Sequence, residues 1–409
     1  MIPRKRLDIA WTDLLFGIGC CLQPENCRSI ELRLEQALPE GTTSLTCLSV
    51  RSGFDALLQA LNFEPGTEIL VSAMTIRGMT RIIKAHDLVP IPIDLDFTTL
   101  AVRSESMAKA VTARTKAILV AHLFGSRMPM EPILQFAQAH NLLIIEDCAQ
   151  SYVGKEYWGH PQSHVSLFSF GPIKTATALA GGILHFRDAS LCHAVRLCQE
   201  QWPVQSRLRF LARICKYALL MLLSYRATYS LFVRACSVLK KNHDQIISNS
   251  VRGFSGDDFF RRIRQRPSSA LLALLERRLK RFDPDRIAKR IKLAEHFIRL
   301  APSVKRLGSQ ASEHTHWVFP IQCECPEDLK HYLWSEGFDA TQGGSSLYVV
   351  DPPVTHPELH PVEAQQTFQQ LLYLPIDIGI SSQDIERLAR VLNEYDFKRA
   401  SRKCLKLHM

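Results

Sequence analysis

The sequence predicts an α/β fold: a mostly parallel central sheet sandwiched by helices, with a smaller C-terminal α/β lobe. Three observations carry this. Short apolar runs alternate with amphipathic stretches throughout the first half of the chain. Several of those runs are apolar at nearly every position, as strands buried on both faces are. The run "LLIIED" stops abruptly on Glu146 and Asp147, and ligand sites of open α/β sheets lie beyond the carboxyl ends of the strands.

The elements follow in order. "SIELRLEQAL" (29–38) has helical periodicity. "SLTCLSV" (44–50) reads as a strand, and "RSGFDALLQALNF" opens a helix at a glycine. "EILVSAM" and "VPIPIDLD" are strands around the helix "TRIIKAHDL". "KAILVAHLFG" and "LLIIED" are strands around the helix "MEPILQFAQAHN". The stretch 268–300 reads as two helices broken at Pro284. "HWVFPIQ" is a strand candidate, and "SSQDIERLARVLNEY" is a Ser-capped helix. The expected organisation is a large domain over 1–200, a basic, apolar helical insertion over 201–260, and a helical linker with a small domain over 261–409.

With 409 residues, 46% hydrophobic and 22% charged, the chain can bury a sizeable core, and its composition excludes a low-complexity or disordered class. Its twelve cysteines lack the repeated CxxC spacing of a zinc site and read as reduced thiols, with no metal expected. The N-terminal stretch is interrupted by Asp8 and Asp13 and reads as part of the fold rather than a leader.

The net charge of +10 suits an acidic partner. No nucleic-acid recognition module accompanies it, so nucleic acid is not the expected one. Much of the charge is local. Residues 201–243 contain eight Arg or Lys and no Asp or Glu. Within them "YALLMLLSY" is too short to span a bilayer, which takes about 20 residues. Two readings stand side by side: peripheral contact with a membrane interface, or a core helix hairpin with a solvated basic face.

The chemistry-bearing residues converge on one sheet edge. Asp147 ends a strand. Ser52 and Gly53 begin a helix after another strand. "SLFSF" brings Ser169 to the same rim, and Lys174 follows in a turn rich in small residues. A lysine beside a strand-terminal acid suits pyridoxal 5'-phosphate (PLP). The amine condenses with the cofactor aldehyde, and the acid keeps the ring nitrogen protonated. Hydroxyls and N–H groups at a helix start suit the phosphate.

Several segments resemble the DegT/DnrJ/EryC1/StrS aminotransferases. "RSGFDALLQAL" is similar to that family's S-G-T-x-A-L helix start. Residues 111–154 resemble its central block, "FSFGPIKTATALAGG" its lysine segment, and "LLYLPIDIGISSQDIERLARVL" its C-terminal "LP" helix. The resemblance implies a fold type I, PLP-dependent aminotransferase. Such an enzyme moves an amino group from an amino acid, commonly glutamate, to a keto sugar, mostly nucleotide-linked, in cell-surface polysaccharide or secondary-metabolite synthesis; a lipid-linked acceptor is the further expectation if 201–243 meets a membrane. It further implies a cytoplasmic homodimer, here with contact at the inner membrane face as an added reading. Lys174 matches the cofactor-binding lysine and Asp147 the ring-nitrogen partner. Gln150 matches a glutamine near the ring, Ser169 a phosphate ligand, and Ser52, Gly53 and Phe54 the phosphate loop.

Three positions depart from the pattern. Phe54 replaces a usual Thr, so only its backbone N–H could serve the phosphate. Ile76 stands where an aromatic often stacks on the ring. Arg264 falls where an Asn usually reaches the neighbouring subunit, with Arg266 at a usual Arg. Two alternatives stay open: a PLP-dependent sugar dehydratase, although those typically carry His in place of the lysine, and a non-catalytic, membrane-associated PLP-binding homologue.

Overall fold

The computed structural model describes residues 1–39, 43–251, 256, 258–343 and 346–407, without side chains at 251 or beyond 395. A seven-stranded sheet forms its centre. The strands are β1 (Thr43–Cys47), β2 (Glu68–Ser72), β3 (Val89–Ile93), β4 (Thr115–Ala121), β5 (Leu143–Asp147), β6 (Val165–Ser169) and β7 (Gly182–Phe186), in the order β1-β7-β6-β5-β4-β2-β3. All neighbours are parallel except the two pairings of β7. The predicted fold class is therefore present.

Helices cover both faces. On one lie α1 (Trp11–Leu22) and α2 (Cys27–Ala37); α3 (Val50–Leu61) and α4 (Arg77–Ala85) form a different layer. Phe54, Leu57 and Leu58 of α3 and Ile82 and Ile83 of α4 pack with Val71, Leu119 and Leu167 of the sheet. Burying apolar side chains of this size stabilises by about 1.5–3 kcal/mol each. Next along the chain come α5 (Ser104–Ala110), α6 (Glu131–Ala139) and α7 (Ala189–Glu200). Met107 of α5 and Ile133 and Ala137 of α6 join a separate core cluster with Ile118 and Ile144.

The acid-poor stretch folds as α8 (Arg207–Leu222) and α9 (Arg226–Val238), followed by α10 (His243–Val251) and the short α11 (Phe259–Ile263). Phe210, Ile214, Tyr217 and Met221 repeat at helical spacing and bury one stripe of α8 against α1 and α12 (Ser269–Lys280). Pro284 caps α13 (Asp285–Leu300), so the predicted break falls where proline starts a helix easily.

The C-terminal lobe holds an antiparallel pair, β8 (Phe319–Gln322) and β9 (Leu371–Leu374). With it pack α13, α14 (Pro326–Ser335) and the terminal helix α15 (Ser382–Leu407). The chain's first residues join this lobe: Ile2 N–H donates to Gly337 O and Asp339 N–H to Ile2 O.

Candidate functional site

A cavity of about 380 Å³ opens at the carboxyl edge of the sheet. Asp147 at the end of β5, Ser169 at the end of β6, Gln150 and Lys174 all line it. Strand register explains the convergence: Asp147 is level with Ala121 of β4 and Leu167 of β6. Ser169 therefore emerges just beyond it. Lys174 sits on a loop fastened at many points. Its N–H donates to Gly171 O, Ala178 N–H to Phe170 O, and Ala176 N–H to Asp8 Oδ2 at 2.8 Å. Ala176 and Leu179 carry positive φ angles of 53° and 65°. Such conformations are costly for residues with a Cβ and persist where the surroundings enforce them.

The N-terminus of α3 forms the opposite wall through Leu48, Ser49, Val50 and Arg51. Ser49 is the N-cap; its Oγ accepts from Ser52 N–H and bonds Ser52 Oγ at 2.9 Å. The first N–H groups of a helix have no intrahelical acceptor, so the turn at Val50 and Arg51 presents positive dipole ends at the wall. Gly182 lets this turn approach β7, since a Cβ there would lie 2.6 Å from Val50 N.

Ser52, Gly53 and Phe54, the expected phosphate residues, belong to the next stretch of the same helix. The cavity wall is formed by the preceding residues. Ser52 and Phe54 are fully buried. Gly53 is needed for packing: a Cβ there would meet Leu184 Cδ1 at 2.3 Å. The "SGF" stretch serves the helix–sheet contact. Ile76 lines the cavity as an apolar wall residue. Arg264 donates from Nε to Asp55 Oδ2 at 2.8 Å and from Nη2 to Oδ1 at 3.1 Å. Arg266 Nε donates to Trp202 O.

The electrostatics are those of a half-finished ion site. Burial pushes the Asp147 carboxyl up, and Lys174, His122 and Arg51 only partly offset this; its Oδ1 accepts from Ala149 N–H at 2.9 Å. Burial also lowers Lys174 to about 8, with Asp147 pulling it up and Arg51 pushing it down. A nearby cation would complete the environment of Asp147, and a lysine lowered this far holds a reactive neutral amine near neutrality. Carboxylate, amine and helix N-terminus around one cavity match a phosphorylated, cationic aromatic aldehyde, so these residues fit PLP.

Sequence reasoning missed the supports. Glu146, next to Asp147, is fully buried and accepts from His122 Nε2, Ser163 Oγ and His160 N–H, each at 2.8 Å, and from Tyr157 Oη. Met128 N–H donates to His122 Nδ1, which places the ring proton on Nε2 and makes it the donor to Glu146. This anchors the end of β5 from behind. Trp317 lines the cavity and donates from Nε1 to Ile173 O at 3.0 Å, beside Lys174. Its "HW" pair carried no spacing signal. Arg209, Arg213 and Lys216 of α8, with Arg262, line the outer part of the cavity; the charge run was visible but not its target.

Residues 29–214 match the DegT/DnrJ/EryC1/StrS aminotransferase family. The chain is 31% identical over 161 residues to GDP-perosamine synthase of Caulobacter vibrioides, covering 39% of this chain and 43% of that protein. It is 34% identical over 137 residues to GDP-perosamine synthase of Escherichia coli O157:H7, covering 33% and 37%. The alignments thus span less than half of these curated relatives. Among solved structures, the Helicobacter pylori aminotransferase PseC superposes with a TM-score of 0.69 at 16% identity, over 96% of this chain and 98% of that one. The E. coli GDP-4-keto-6-deoxy-D-mannose-3-dehydratase superposes with a TM-score of 0.66 at 19% identity, over 96% and 100%. At such identities the likeness establishes the fold.

Proposed function

We propose that the protein is a PLP-dependent aminotransferase that moves an amino group from an amino acid, glutamate being the first candidate, to a keto sugar carried on an anionic linkage. The observation that carries this reading is the meeting of Lys174, Asp147 and the N-terminus of α3 at one cavity. Bound there, PLP supplies an electron sink and carries the amino group between donor and acceptor.

The chain's own residues then have distinct tasks. Lys174 Nζ holds the cofactor at its aldehyde carbon. Once free, it would take the proton off the donor's nitrogen-bearing carbon in one half-reaction and deliver one to the acceptor's in the other. Asp147 would keep the ring nitrogen protonated. Val50 and Arg51 N–H, with Ser49 and Ser169, hold the phosphate. Gln150 keeps its place near the ring, its Oε1 accepting from Phe124 N–H at 2.8 Å. Ile76 and Trp317 exclude water at the sides.

Two further parts of this reading concern partners. The family resemblance supports a homodimer working in the cytoplasm. Exposed apolar stripes support peripheral membrane contact: Trp11, Leu15 and Leu22 on α1, and Leu208, Leu219 and Leu222 on α8. Among the described residues no helix is long and apolar enough to cross a membrane.

The test is the donor half-reaction. Cofactor-loaded enzyme mixed with glutamate should lose its yellow colour and release 2-oxoglutarate, and a keto-sugar acceptor should restore the colour. Binding of PLP with no amine transfer from any amino acid would favour the non-catalytic alternative.

A further inference from the structure

One stripe of α8 changes character along its length. Arg209, Arg213 and Lys216 line the main cavity. Leu220 and Leu223 continue the same alternating spacing of four and three residues, and they line a second cavity of about 130 Å³. Leu7, Phe232 and Ile247 close its apolar wall. Ile173 and Trp317 line both cavities, so a single wall separates them next to Lys174. From Arg213 to Leu220 is seven residues, about 10 Å along the helix.

The polar side chains around the second cavity are already engaged inside the protein. Arg4 Nε donates to Asp339 at 2.7 Å, Tyr229 Oη donates to the same carboxylate, Thr341 Oγ1 donates to Asp244 at 2.8 Å, and Ser224 Oγ donates to Met221 O. Among the described residues, little remains there to read a nucleobase, which is recognised through hydrogen bonds. A hydrocarbon chain asks only for removal from water.

Resting on the aminotransferase reading above, we infer that the acceptor is an amphiphile: a keto sugar joined through a phosphate or diphosphate to a hydrocarbon chain. The sugar sits beside Lys174 and the anionic linkage lies on Arg209, Arg213 and Lys216, with Arg262 alongside. The first carbons of the chain enter the apolar cavity at Leu220 and Leu223. Those beyond it run onto Leu219 and Leu222, which are 60% and 47% exposed.

The test is equilibrium binding to the cofactor-loaded full chain, read by equilibrium dialysis. The probes are farnesyl diphosphate below its micelle concentration, inorganic pyrophosphate and GDP. Farnesyl diphosphate is expected to bind at least about tenfold tighter than either of the others, a modest return for several buried carbons. The double variant Leu220→Gln/Leu223→Gln should bind farnesyl diphosphate no better than pyrophosphate, while its pyrophosphate affinity is unchanged. Should that variant fold poorly, Leu223→Trp, which fills the cavity, replaces it, and the wild-type ranking stands by itself. Equal binding of farnesyl diphosphate and pyrophosphate, or tighter binding of GDP, would overturn the inference. The parent reading fails separately: an enzyme that shows the farnesyl preference but takes no amine from any donor is an amphiphile binder and not a transaminase.

Discussion

Lys5 and Lys174 lie against the same indole, each Nζ 4.3 Å from the centre of the Trp317 ring. Lys5 also donates to Trp317 O at 2.9 Å. Burial lowers Lys5 to about 7, with Arg290 and Lys174 adding to the shift and Asp377 and Asp8 opposing it. The N-terminal segment thus braces the ring that walls the reactive lysine.

The lowered Lys174 gives a pH prediction. Only the neutral amine captures an aldehyde. With a value of about 8, about a tenth of the lysine is neutral at pH 7, against roughly three in ten thousand for an ordinary lysine. Stopped-flow capture of PLP by apoenzyme should rise with pH and level off above about pH 8. An inflection near 10.5 would show that the amine is not shielded. Trp317→Ala should move the inflection upward, because burial is the largest influence on Lys174 and the ring supplies part of it. Lys174→Ala should abolish both turnover and the visible absorbance of covalently held cofactor.

Asp147→Asn tests the ring-nitrogen role. An amide cannot keep that nitrogen protonated, and it removes a buried charge already disfavoured by its surroundings. The variant should fold and bind PLP with colour. Its donor half-reaction should slow by about 100-fold or more, the scale on which aligned electrostatic groups act. Near-normal single-turnover rates would remove Asp147 from the mechanism.

Arg264 invites a stability measurement instead. Its partner Asp55 is fully buried and also bonds His86 Nε2 at 3.0 Å. Burial alone would raise the Asp55 pKa, but hydrogen bonds from His86 and Arg264 hold it below its usual value. Breaking a buried pair from one side costs about 3–5 kcal/mol. Arg264 is 42% exposed, so about 1–3 kcal/mol is expected for Arg264→Ala. A group with a depressed pKa stabilises above its unfolded value, and that stability fades as pH falls through the folded one. The melting difference between wild type and variant should therefore shrink as pH falls below about 4. A change in KM with unchanged melting would mean that Arg264 serves a site after all.

These cases show what the sequence makes legible. Asp147, Gln150, Ser169 and Lys174 were readable because strand ends fix where the following residue points. "SVRSGF" offers two serines and a glycine, and only the packing of Gly53 against Leu184 shows that Ser49, Val50 and Arg51 are the ones lining the cavity. Trp317 and Lys5 lie 312 residues apart in the chain, and no local pattern announces contacts of that range. The basic run was obvious, but helical phase alone divides it. Arg209, Arg213 and Lys216 line the cavity, while Phe210 and Ile214, one position on, are buried in the core.

The remaining stripe of α8 carries the last prediction. Leu208, Leu219 and Leu222 are exposed on it, and Trp11, Leu15 and Leu22 are exposed on α1, which packs against α8. Trp11 Nε1 donates to Tyr225 Oη at 3.2 Å, joining the two sets at one end. The neighbouring Arg and Lys side chains would each gain about 1 kcal/mol near an anionic lipid surface, and salt would screen that gain. In co-sedimentation the protein should therefore partition onto phosphatidylglycerol vesicles, less onto phosphatidylcholine, and less again at high salt. Leu219→Glu/Leu222→Glu adds two charges that anionic lipid repels, and it should cut partitioning by about tenfold or more. Partitioning equal to that of the wild type would show that this face does not meet lipid. If the variant instead changes the sedimentation coefficient of the free protein, the stripe belongs to a subunit contact, because only burial against another chain makes assembly sensitive to charge there.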